Sequence, residues 1–128
     1  MRHRVAGFKL GRSASHRSAL WRNLITDLFR YDRITTTEAK ARSMRGAAER
    51  LITRAKVSMT EGGNPVHARR QVDRVITDPE VTKRLFAEIA PLFTERPGGY
   101  LRMRKLGFRH GDGADMVVLE LVEKPAAK

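Results

Sequence analysis

A chain of 128 residues with 41% hydrophobic content is long enough for one domain with a modest core. Its formal net charge of +12 calls for a polyanionic partner, of which nucleic acid is the usual one. The lack of cysteine excludes disulfides and thiolate metal sites. No stretch reaches the length of a membrane span, and Arg2 and Arg4 without a following apolar run do not read as a secretory signal.

Residues 1–12 hold Gly7 and Gly11 and show no helical period, so they read as an extended or irregular basic segment. Leu20, Leu24 and Leu28 then recur every four residues. Trp21, Ile25 and Phe29 widen that stripe into a helix over 15–31, capped by Ser13 or Ser15. Arg22, Asn23, Thr26 and Arg30 fall on its polar side. Arg33 to Thr35 suit a short strand. Thr35 and Glu38 have capping-box spacing, with Thr36 and Thr37 as other caps for a helix running to about Met59.

That second helix turns Met44, Ala47, Ala48, Leu51, Ile52 and Ala55 inward, and Arg42, Arg45, Arg50 and Lys56 to the opposite arc. "EGGNP" ends it. Pro65 to Ile76 reads as a helix, and Asp78 with Pro79 starts another. That one carries Val81, Leu85, Phe86 and Ile89 inward and closes at Pro91 and "ERPGG". The period then changes to two. "YLRMRKL" and "DMVVLELVE" are strands joined through Gly111, Asp112 and Gly113, with Glu120 near Arg102 or Arg104 across the pair.

The predicted fold is α+β in two layers: helices packed on a small, mostly antiparallel three-stranded sheet, with the basic N-terminal segment extended from it. Residues 1–12 form the segment, 13–123 a single domain, and 124–128 a loose end.

Charge is concentrated at the front. Residues 1–56 hold 14 Lys/Arg against 4 Asp/Glu, whereas residues 57–128 hold 12 against 10. Arg outnumbers Lys by 19 to 7, which favours fixed phosphate contacts over general solubility. The four histidines are scattered without metal-ligand spacing. "GDG" lacks the carboxylates of a cation loop, no serine lies in a nucleophile elbow, and no Gly-rich stretch leads into a phosphate-cradling Gly-Lys-Ser/Thr. Arg2, Arg4, Arg12 and Arg17 are spaced irregularly, with His3 and His16 among them, which suits folded RNA better than a regular groove. Two other classes compete. Three helices followed by two strands is the order of a winged-helix DNA binder, but its recognition helix at 79–90 would be neutral. An RNA-modifying enzyme needs a cofactor loop or a clustered acid–base set, and neither is seen.

"MRHR" at 1–4, "KLGRSASHRSALWRNL" at 9–24, "RITTTEAKA" at 33–41 and "ERLITRAK" at 49–56 resemble the bacterial large-subunit ribosomal protein family numbered seventeen. "RLFAEIAPLFTERPGGYLRMRKLGFRHGDGADMVVLEL" at 84–121 is similar to that family's second half. The resemblance implies a structural, non-enzymatic component of the cytoplasmic 50S subunit. It would bind 23S ribosomal RNA near the polypeptide exit, beside other ribosomal proteins. It also implies no cofactor, no metal, no membrane, no small-molecule substrate and no homo-oligomer. The family's characteristic start maps onto Arg2, His3, Lys9, Leu10, Arg12, His16 and Arg17. With the basic residues of the following elements, the expected RNA contacts are Arg2, His3, Arg4, Lys9, Arg12, His16, Arg17, Arg22, Arg33, Lys40, Arg42 and Arg45. The loop before the last strand departs from the family's arginine-rich pattern, reading "GFRHGDG" with Phe108 and His110.

Overall fold

The computed structural model describes residue 3 and residues 7–125. Its elements in chain order are helix α1 (Ala14–Tyr31), strand β1 (Arg33–Thr37), helices α2 (Glu38–Ser58), α3 (Pro65–Asp73) and α4 (Pro79–Arg84), then strands β2 (Leu101–Phe108) and β3 (Asp115–Leu121). The strands form one antiparallel sheet in the order β1-β3-β2. Helices pack on one face of it, so the α+β expectation holds. The described part of the N-terminal segment is irregular rather than extended. It closes a turn in which the Arg12 N–H donates to the Lys9 carbonyl at 3.2 Å.

Local chemistry sets the helix starts. The Ser13 side chain accepts from the His16 N–H, Asn64 from His67 and Asp78 from Glu80. Pro65 and Pro79 occupy first-turn positions, where a missing N–H costs nothing. The capping box at Thr35 and Glu38 does not form. Strand β1 continues to Thr37, which caps α2 with no side-chain hydrogen bond, and Glu38 instead pairs with Arg42 at 2.8 Å.

The core lies between α1, α2 and the sheet. Ile25, Leu28 and Phe29 from α1 meet Met44, Leu51 and Ile52 from α2, with Val117, Leu119 and Leu121 beneath. Ala41, Ala48 and Ala55 on α2 are buried too, and small side chains at this spacing let elements approach closely. Thr26, read from sequence as polar surface, is buried. Its hydroxyl donates to the Arg22 carbonyl at 2.7 Å and accepts from the Thr77 N–H at 3.2 Å, tying α1 to the start of α4. A buried hydroxyl with both functions satisfied costs little.

The helix expected over 79–90 is three pieces. α4 ends at Arg84, a π-helical turn covers Leu85–Ile89, and a 3₁₀ turn covers Ala90–Phe93. Pro91 cannot donate to the carbonyl one turn back and its ring clashes there, so a regular α-helix cannot run through it. The wide turn keeps Leu85, Phe86 and Ile89 buried despite that break. Strand β2 also departs from simple alternation. A bulge between Lys105 and Gly107 leaves Leu106 exposed.

Candidate nucleic-acid interface

Lys9, Arg12 and Arg17, three of the expected contact residues, meet where the N-terminal turn joins the first helix. Arg17, in the first turns of α1, donates from Nη1 to the Arg12 carbonyl at 3.0 Å and to the Lys9 carbonyl at 3.4 Å. Arg12 Nη1 donates to the Leu10 carbonyl at 2.7 Å. These bonds hold Leu10 at φ 57, a left-handed conformation that costs a leucine roughly 1–2 kcal/mol. The turn is therefore set by two arginines that pair with no acid among the described residues. Arg12 Nε is buried without a hydrogen-bond partner among the described residues, an unmet donor of the kind an oxyanion satisfies.

The same cluster extends to α2. The Arg17 guanidinium lies 6.0 Å from the Trp21 ring centre, within cation–π range. Trp21 Nε1 donates to Ser43 Oγ at 2.9 Å, and Ser43 Oγ to the Lys40 carbonyl at 2.7 Å. A chain of contacts thus orients the Arg12 and Arg17 guanidiniums and ties α1 to α2 near Lys40, with Lys9 and Lys40 entering it through their main-chain carbonyls. Phe8, Thr37, Glu38, Ala39 and Arg42 line a shallow hollow beside it. His3, Lys9 and His16 are exposed. Arg2 and Arg4 lie outside the described residues.

Other expected contacts lie apart from this cluster. Arg22 is held from Nε to the Val75 carbonyl at 3.4 Å. Arg42 is exposed but paired with Glu38. Arg45 reaches Glu49 at 3.5 Å and donates to the Leu101 carbonyl at 3.2 Å, so part of its charge serves packing. The basic arc of α2 is not uniformly solvated, because Lys56 turns inward. It donates to the Arg96 carbonyl and to the Tyr100 hydroxyl, with the Tyr100 ring centre 5.0 Å away. Arg33 sits on the sheet face opposite the helices, in register with Glu120.

That open sheet face carries basic residues the sequence reading left out. Arg102, Arg104 and Lys124 all reach the Glu120 carboxylate, which is 1% exposed. The visible signal was the Arg-x-Arg alternation in β2; the missing one was that β3 is the central strand. Hydrogen bonds from Arg102 and then Lys124 hold the Glu120 carboxyl down, from an ordinary 4.5 to about 2. A lowered carboxyl pKa stabilises the fold above the unfolded value and loses that contribution as pH falls. Thermal stability is therefore expected to drop between pH 4.5 and about 2, and Glu120→Gln to flatten that part of the profile. Parallel melting profiles for the two proteins would place the acid sensitivity elsewhere.

Among the described residues no helix is long and apolar enough to cross a membrane, and no group of three or more His, Cys, Asp or Glu is placed to hold a metal ion. The element proposed as a winged-helix reader offers no basic groove face either. α4 spans only six residues, and Arg84 at its end turns toward Asp32 at 2.6 Å. A cationic α+β scaffold, with arginines fixed on a turn and across two helices, has the make-up of a structural nucleic-acid-binding protein.

The comparisons with known proteins agree with that class. The model of the family described as "Ribosomal protein L17" matches residues 20–122. The chain is 54% identical over 123 residues to a Treponema pallidum (strain Nichols) protein named large ribosomal subunit protein bL17, covering 96% of this chain and 71% of that one. It is 48% identical over 128 residues to the protein of that name from Geobacter sulfurreducens, covering 100% of this chain and 70% of that one. The namesake from Borrelia turicatae is 48% identical over 124 residues, covering 97% and 95%. The chain belongs to the ribosomal protein L17 family, whose members are structural ribosomal proteins and not enzymes.

Proposed function

We propose that the chain is a structural component of the cytoplasmic large ribosomal subunit that binds 23S ribosomal RNA and clamps RNA segments near the polypeptide exit. Its partners on this reading are the RNA and neighbouring large-subunit proteins. It uses no small-molecule substrate and no homo-oligomer. The carrying observation is the link from the Lys9–Arg12 turn through Arg17, Trp21 and Ser43 to Lys40. It holds the Arg12 and Arg17 guanidiniums at a fixed spacing and braces α1 against α2. Fixed spacing favours a clamp, because freely moving side chains lose rotamer freedom when they meet RNA phosphates. Arg2, His3, Arg4 and His16 are further RNA contacts on this reading, and Arg22, Arg33, Arg42 and Arg45 are flanking ones.

Binding to large-subunit ribosomal RNA and to duplex DNA of equal length, measured across a salt series, tests the reading. Tight, RNA-preferring binding is expected. Changing Arg2, Arg4, Arg12 and Arg17 together to Ala is expected to make the log–log salt slope shallower by about 3, at roughly 0.7–0.9 per lost phosphate contact. Equal affinity for the two polymers would exclude the proposal. A variant with the wild-type slope would move the interface away from the N-terminal cluster.

A further inference from the structure

The sheet face turned away from the helices holds a charge arrangement that the N-terminal cluster does not use. In the antiparallel register Glu120 on the central strand stands between Arg33 on β1 and Arg102 on β2. Glu120 Oε1 accepts from Arg102 Nε at 3.1 Å and Nη2 at 2.8 Å, and lies 3.0 Å from Arg104 Nε. Its Oε2 accepts from Lys124 Nζ at 3.0 Å. The carboxylate is thus covered by its own partners. The side chains of Arg102, Arg104 and Lys124 stay 56%, 55% and 42% exposed.

This is more cation than one carboxylate requires. A single well-formed pair would compensate Glu120, and a buried ion pair is weak support for stability in any case. Two arginines and a lysine converge on it, with Arg33 beside them, leaving a surplus of positive charge on an exposed surface. Long basic side chains normally lose rotamer freedom when they bind, at about 0.5–1.5 kcal/mol each. Here that freedom is already reduced by Glu120, and each guanidinium keeps N–H groups that the carboxylate does not use.

We propose that the open sheet face is a second RNA-binding surface, in which Glu120 pre-positions Arg102, Arg104 and Lys124 for the phosphodiester backbone of large-subunit ribosomal RNA. Arg33 lies at its edge. The inference rests on the ribosomal-RNA reading above and adds to it a surface in the half of the chain whose net charge is low. Charge complementarity selects the partner: a clustered surplus of fixed cations matches closely spaced phosphates.

Glu120→Gln gives opposite results under two explanations. If charge alone governed binding, deleting an acid would tighten RNA binding and steepen the salt slope. If Glu120 orders its partners, binding weakens by about 3- to 10-fold even though net charge has risen. Glu123→Gln makes the same charge change at a residue whose ion pair to Arg96 is 3.6 Å long, and it is expected to bind at least as tightly as wild type. Arg104→Ala leaves Glu120 paired with Arg102 and Lys124, and is expected to reduce the salt slope by about 0.7–0.9. Circular dichroism establishes that each variant is folded. Should Glu120→Gln not fold, Arg104→Ala carries the test alone. Weaker binding by Glu120→Gln with a shallower slope for Arg104→Ala supports the proposal. Wild-type slope in Arg104→Ala, or unweakened binding in folded Glu120→Gln, overturns it and leaves the face to a protein neighbour. Loss confined to the N-terminal variant would overturn this surface while sparing the ribosomal-RNA reading. A wild-type chain that did not prefer ribosomal RNA would overturn both.

Discussion

Phe29→Ala is expected to destabilise the protein by about 3–5 kcal/mol. The Phe29 side chain is fully buried near the C-terminal end of α1, in the cluster that joins α1 to α2 and the sheet. Removing the ring loses its transfer free energy and opens a cavity that helices fixed at both ends close only partly. Domains of this size hold about 5–15 kcal/mol in total, so this is a large share. The melting temperature should fall by roughly 10–20 °C, read by far-ultraviolet circular dichroism. RNA binding should survive well below the new transition, because no cation has been removed, and then collapse with it. A fall of only a few degrees would mean that α1 does not depend on this contact. The helix spacing on which the proposed clamp rests would then have another source.

The helical face containing Phe29 was legible because helical period is a local signal. Leu20, Leu24 and Leu28 marked the helix, yet the structure centres the buried stripe on Ile25, Leu28 and Phe29 and adds Thr26. Leu20 and Leu24 are only half-buried. Periodicity finds an apolar face but not its centre, which depends on where Thr77 and the sheet lie. Caps at Ser13, Asn64 and Asp78 were legible or lay within a residue of the expected start, for the same local reason. The break at Pro91 was visible, but not the π turn before it, which arises from packing Leu85, Phe86 and Ile89 against the core.

The site residues divide along the same line. Charge density pointed to the opening stretch, and the structure joins Lys9, Arg12 and Arg17 there. Composition could not show that Arg17 serves the fold as well, because its partners are main-chain carbonyls rather than acids. The sheet-face cluster was legible in part: strand alternation put Glu120 near Arg102 or Arg104, as the structure has it, but nothing marked the face as a surplus of cations. Residues 57–128 have nearly balanced charge, so counting hides them. The pairing of β2 with β3 sets Arg102 and Arg104 around Glu120, and the pairing of β1 with β3 adds Arg33 to the same surface. Burial of Glu120 likewise contradicts the simple rule that alternate strand residues face solvent. On a central strand, long neighbours from both sides cover the exposed face.

Asp32 offers the second large effect, and its variants separate conformation from charge. It ends α1 at φ 68, a left-handed conformation that glycine, asparagine and aspartate tolerate and most other residues do not. Its carboxylate receives Arg84 at 2.6 Å and 3.0 Å, and its carbonyl accepts from the Leu121 N–H at 3.0 Å. Arg84 also donates to the Phe29 carbonyl, so a single guanidinium binds the last turn of α1 to α4. Asp32→Ala brings in left-handed strain and loses the pair, at an expected cost of about 2–4 kcal/mol. Asp32→Gly relieves the backbone while losing the pair, which should recover roughly 1 kcal/mol of that. Asp32→Asn retains an acceptor and tolerates the left-handed conformation, so it should be the mildest. The expected order of melting temperature is wild type, Asn, Gly, Ala. Equal loss for Gly and Ala would show that the left-handed backbone carries no strain. Asn as damaging as Ala would assign the whole effect to the carboxylate charge. Either way, the joint bears on the proposed sheet-face surface, because β1 leaves α1 directly after Asp32. Its first residue, Arg33, stands on that open face rather than under the helices.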